Sequence, residues 1–179
     1  LLLFYLPEGP LDLAPPGEEA APVARDLFAE ALAAGRVIPG MQETAIMDGV
    51  RELLRKSFGD NRKLLARLSS QFTDIAQKAP IELEPGIVLL HAHIPEVSEP
   101  LVYFGARAEG FRILALETPA RILVLLCSPE GLPPEAHLAT LGDIARVFKD
   151  GVLASRLLEA KTPNELGGER EKILDEDLE

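Results

Sequence analysis

The spacing of apolar residues changes twice along the chain. In "PVARDLFAEALAAG" (22–35), Val23, Leu27, Ala31 and Leu32 share one helical face and Gly35 is a natural stop, so the spacing predicts a helix. A second helix is predicted over 43–59, with Ile46, Val50, Leu53 and Leu54 on one side and Gly59 at its end. A third, over 61–77, carries Leu64, Leu65, Leu68, Phe72 and Ile75, and its long Lys and Arg chains fall on the solvated side. From residue 81 the pattern becomes that of strands. "IELEPGIVLLHAHI" (81–94) reads as strand, Pro-Gly turn and strand. "LVYFGAR" (101–107) and "FRILAL" (111–116), joined at "AEG", read as a hairpin. "RILVLLCS" (121–128) is apolar almost throughout, which predicts a central strand covered on both faces. Helical spacing returns over 134–151, where Leu138, Leu141, Ile144, Ala145 and Phe148 form a stripe between N-terminal prolines and Gly151. A short helix follows over 152–160, and Thr162, Pro163 and Glu165 form a capping-box pattern. Helices, then strands, then helices predict an α/β fold: a single mixed β-sheet flanked by helices on both faces.

The ends of the chain have a different texture. "LLLFYL" (1–6) is the length of a strand or of the last piece of a membrane helix, and the strand is the simpler reading. It lacks the basic start and small-residue cleavage site of a signal peptide. The chain starts without Met, so a segment of a longer protein is expected. Residues 7–22 hold five prolines and two glycines, as an extended arm does. The expected organisation is an N-terminal strand, Pro-rich arm and extra helix over 1–42, one domain over 43–166, and an acidic tail over 167–179.

Charge narrows the partners. The formal net charge is −11, which argues against nucleic acid, because a phosphate backbone requires a basic face. It leaves room for a basic protein partner. Much of the excess sits at the ends: five acids and one Arg from Glu8 to Asp26, six acids and two bases from Glu169 to Glu179. The one cysteine, Cys127, ends an apolar run and reads as a buried core thiol; it also points to a reducing, cytoplasmic setting.

The candidate chemistry lies with the three histidines, His91, His93 and His137. Side chains alternate across a strand, so His91 and His93 must share a face. A helix packed on that face can bring His137 to them. Three readings follow from the residues. The rings can be a polar rim. They can be three nitrogen ligands of a zinc ion, with Glu96 or water as the fourth, although no metalloenzyme signature surrounds them. Or one imidazole can be a nucleophile toward phosphorus, with a second donating to the phosphoryl oxygens at a helix N-terminus.

"GIVLLHA" resembles the "GIAIPHA" stretch of the mannitol/fructose-type (type 2) enzyme IIA domains of the bacterial phosphotransferase system. Residues 122–166, through "HLATL", resemble the C-terminal half of that family, and the likeness spans about 43–166. The resemblance implies that His91 accepts a phosphoryl group from the phosphocarrier HPr and that His137 assists. It assigns no role to His93 and no cofactor or metal. It further implies a regulatory module attached to a membrane transporter, cytoplasmic and tethered to the inner face of the membrane. The pattern departs at three positions: Ile75 and Ala76 stand where the family has Arg-Glu, and Leu90 where it has Pro. Arg107, Arg112 and Lys78 are the candidate replacements for the arginine. The departures carry a second expectation, a binding or regulatory domain of a transporter that kept the fold and lost phosphotransfer.

Overall fold

A computed structural model describes residues 26–167. The expected strand over 1–6, the Pro-rich arm and nearly all of the acidic tail lie outside the described residues. Ten elements follow in order: α1 (Leu27–Ala33), β1 (Val37–Ile38), α2 (Ile46–Phe58), α3 (Arg62–Lys78), β2 (Ile81–Glu84), β3 (Ile87–Ile94), β4 (Leu101–Phe111), β5 (Ala120–Pro129), α4 (Pro134–Val147) and α5 (Val152–Glu159). The strands form one mixed sheet in the order β1-β4-β5-β3-β2. β3 runs parallel to β5, and β1 parallel to β4, while β4 with β5 and β2 with β3 are antiparallel.

The sheet is covered on both faces, as its sequence pattern requires. Val88, Leu90, Tyr103, Leu123, Leu125 and Cys127 pack under α2 and α3 against Val50, Leu53, Leu68 and Phe72. Ile87, Leu89, Phe104, Val124 and Leu126 pack on the other face against α1, α4 and α5 through Phe28, Ile144, Phe148 and Leu157. β5 is central and buried over seven consecutive residues from Ile122 to Ser128, which explains its unbroken apolar run. Cys127 is a core thiol, and burial pushes its pKa up to about 12.

Local chemistry sets the element ends. The Asp26 carboxylate accepts from Ala29 N, and the Asn61 side chain accepts from Leu64 N, each satisfying a free first-turn donor. Glu165 also reaches back, but its carboxylate accepts from Lys161 N at 2.6 Å, one residue before the expected cap.

Three expectations are corrected. Residues 101–107 and 111–116 do not form a hairpin. β4 continues through Phe111 with an irregular register between Ala106 and Phe111, turns at Gly110 (φ 77°), and pairs with β5. Residues 112–116 leave the sheet, burying Ile113 and exposing Leu114, because β5 already occupies the edge a hairpin would need. The helix expected to run to Gly151 ends at Val147, and Gly151 (φ 74°) instead starts α5. Leu138 is 66% exposed and Ala145 is exposed, so the buried side of α4 is narrower than its apolar stripe. β1 is too short for a periodic signal and joins the sheet through the Val37 pairing with Phe104.

Gly49 tests the α2 contact with the sheet. Alanine in a helix interior is ordinarily better than glycine by about 1 kcal/mol. A Cβ at Gly49, however, would lie 2.7 Å from Cζ of the buried Phe111 ring. Overpacking of this kind costs about 1–3 kcal/mol, so Gly49→Ala is expected to destabilise the fold, read as a lower urea midpoint at unchanged slope.

Candidate functional site

β3 and β5 end side by side. Their parallel register pairs His91 with Leu126 and His93 with Ser128. Chain exits from neighbouring parallel strands commonly create a binding crevice beyond their C-terminal ends. Here the loop after β3 goes to the α2–α3 side, where Val97 is buried, and β5 leads into α4 on the opposite side. His91 and His93 share the face of Ile87 and Leu89, the face that α4 covers.

α4 brings the third histidine to this face. Pro133 and Pro134 begin the helix, and His137 N donates to Pro133 O at 3.0 Å, the first bond of the helical ladder. Its own N–H is therefore used. Because the two prolines have none, the helix end offers the N–H groups of Glu135 and Ala136. The His137 ring lies 5.1 Å from the His91 ring and 5.0 Å from the His93 ring, centroid to centroid. The structure thus brings His91 and His137 together, as expected, and adds His93 as an equal neighbour of His137. Strand alternation put His93 on the right face, but no sequence signal gave its distance from a residue forty-four positions away.

Secondary contacts orient the rings. Nδ1 of His93 lies 3.4 Å from the Pro129 carbonyl, which can only accept, so this nitrogen carries the proton in that contact. Nδ1 of His137 lies 3.4 Å from Ser128 Oγ, a hydroxyl that can donate or accept. Ser128 is fully buried, and a buried hydroxyl needs a partner. Sequence reading missed it; the signal available was a polar residue closing an apolar strand. His91 differs. Among the described residues, only His91 Nδ1 and Arg107 Nε are buried side-chain polar atoms without a hydrogen-bond partner.

Burial lowers the pKa of His91, with His137 and His93 as further positive neighbours when protonated. Burial and His93 lower that of His137. Both rings are thereby biased toward the neutral form, which has a nucleophilic lone pair.

Glu96 faces away from a metal role. It is ion-paired with Arg67 of α3, which holds its carboxyl below the usual range. Among the described residues, no three His, Cys, Asp or Glu side chains are arranged to hold a metal ion. The zinc reading is not supported. Nor do the candidate cations converge on the histidines. Lys78 pairs with Asp74. Arg107 donates to Gly110 O and Glu109, and stacks on Phe111 of the opposite face. It is five residues along β4 from Val102, which sits across β5 from His91, about 16 Å along the strand. Arg112 lines a cavity with Glu109, Glu117 and Pro119, by that same far end of β4. Ala76 is buried in the α2–α3 core and Ile75 packs against it.

A family model described as "Phosphoenolpyruvate-dependent sugar phosphotransferase system, EIIA 2" matches residues 40–167 of the 179. The chain belongs to this EIIA 2 family. The EIIA 2 fold is also seen in solved structures. Nitrogen regulatory protein IIA-Ntr from Neisseria meningitidis superposes with a TM-score of 0.63 at 18% identity, covering 78% of this chain and 96% of that one. Mannitol IIA from Escherichia coli superposes with a TM-score of 0.56 at 18% identity, covering 74% and 94%. At these identities the likeness is one of fold. No curated protein sequence matches the chain. No helix of the described residues is long and apolar enough to cross a membrane.

The depressed imidazoles tie stability to pH. Above the ordinary histidine value of 6.5, the folded and unfolded chains are both neutral at His91 and His137. As pH falls below it, the unfolded chain takes up protons first, so folding stability decreases until the folded pKa values are passed. His91→Asn is expected to shallow the loss in urea midpoint between pH 7.5 and 5.5 relative to wild type.

Proposed function

We propose that this EIIA 2 domain accepts a phosphoryl group on Nε2 of His91 from a phosphohistidine of an HPr-like carrier, with His137 donating an N–H to the phosphoryl oxygens. The observation that carries the reading is the 5.1 Å approach of His137 to His91 at the end of β3. Nδ1 of His91 is buried, so Nε2 is the nitrogen open to a donor. Its lone pair forms the new N–P bond. The carrier's N–P bond breaks, and its electron pair returns to the carrier's ring nitrogen. The His91 proton stays on Nδ1, the position the attacking tautomer requires. Charge moves with the phosphoryl group, and preorganised donors at its oxygens lower the barrier. The exposed Leu138, next to His137, offers apolar surface to a docking carrier.

The domain spans 43–166 in this reading. It serves as a regulatory module of a membrane transporter, on the cytoplasmic side. A second reading is favoured by the surroundings of the site: Arg107 and Lys78 are engaged elsewhere, and Ala76 is buried in the core. In it the domain binds a partner without transferring phosphate.

Incubation with phosphoenolpyruvate, enzyme I and HPr separates the two. Acid-labile phosphate is expected on wild-type His91 by mass analysis and none on His91→Ala. His137→Ala is expected to slow transfer about 10²- to 10³-fold, the usual effect of losing one preorganised donor. Unmodified wild-type protein would establish the non-catalytic reading.

A further inference from the structure

The transfer step leaves His93 without a task, yet its ring is as near to His137 as the His91 ring is, at 5.0 and 5.1 Å. We propose that His93 is a second phosphoryl-binding imidazole, so that the phosphoryl group on His91 is held between the rings of His137 and His93. This rests on the phosphoacceptor reading of His91 and adds a residue to it.

Three observations converge. First, His91 and His93 are two apart on one strand face, and the His137 ring spans the gap between them. His137 is thus the common neighbour of both strand histidines, and a group added to His91 on this face lies on the side where both other rings stand. Second, the Pro129 carbonyl takes the Nδ1 proton of His93, which leaves its Nε2 as the outward atom. That nitrogen becomes an N–H donor when the ring is protonated. Third, His93 is exposed whereas His91 is largely covered, so the outward face of the His93 ring is open to an incoming group. A phosphoryl dianion beside an imidazole favours its protonated, donating form.

Among the described residues, no hydrogen bond or ion pair joins His93 to a charged group. β3 contributes His91, β5 the uncharged Ser128, and α4 His137 and Glu135. The adjoining loops contribute Glu96, already paired with Arg67, and Glu99 and Glu130. No hydrogen bond links any of these carboxylates to an imidazole. His93 is thus free to serve as a phosphoryl-binding group in the phosphorylated state.

The test uses the full chain with phosphoenolpyruvate, enzyme I and HPr. On phosphorylation of His91, the His93 imidazole titration, followed by NMR, is expected to move upward by about one pH unit. The phosphotransfer equilibrium constant with HPr is expected to fall about fivefold in His93→Ala at pH 6.5 and to match wild type near pH 9, where a histidine is neutral. His93→Lys, a cation at both values, keeps the constant high at both. An unmoved titration, or an equal loss at both pH values, overturns the role of His93 alone. Absence of phosphate from wild-type His91 overturns it together with the reading it rests on.

Discussion

The parallel pairing of β3 with β5 is the constraint on which the site depends. Its register places His91 level with Leu126 and His93 level with Ser128, at the end of a strand buried on both faces. Strand β5 can be anchored only by filling both layers. That fixes β3 beside it, and it also sets where β5 releases the chain into α4. His137 is delivered by the same geometry, because the Pro133-Pro134 start gives α4 a defined first turn at the exit of β5. A one-residue slip of β3 would turn both of its histidines into the α2–α3 core.

The same packing sets the chemistry of the rings. Burial, with the neighbouring imidazoles adding to it, disfavours protonation of His91 and His137. The unmodified site therefore favours neutral, nucleophilic rings. A dianionic group bound among them reverses the electrostatics, making protonation of the neighbours favourable. One cluster of imidazoles can thus suit both an empty and a charged state.

Several features were legible because they are local. α2 and α3 announce themselves through Val50, Leu53, Leu65, Leu68 and Phe72, which recur on one helical face. β5 does so through a run too apolar for a half-exposed strand. His91 and His137 were found by the motifs around them. The misreadings have a common origin in partner choice. Residues 101–116 alternate well enough for a hairpin, yet β4 finds a better surface along β5. Leu138 fits a helical stripe, but α4 meets the sheet at Ile144 and Phe148 and leaves its first turn near the surface.

The sequence by itself determined the element types, the two-sided burial of β5, the shared face of His91 and His93, and the family of the domain. These follow from periodicity, from strand alternation and from motif. The tertiary structure alone decided that β3 pairs with β5, that Ser128 and Pro129 contact the rings, and that His93 stands as near to His137 as His91 does. Those are contacts between residues far apart in the chain, and periodicity contains no information about which surfaces meet. His93 reads as a bystander along the chain and becomes a member of the cluster only when α4 closes over the end of the sheet.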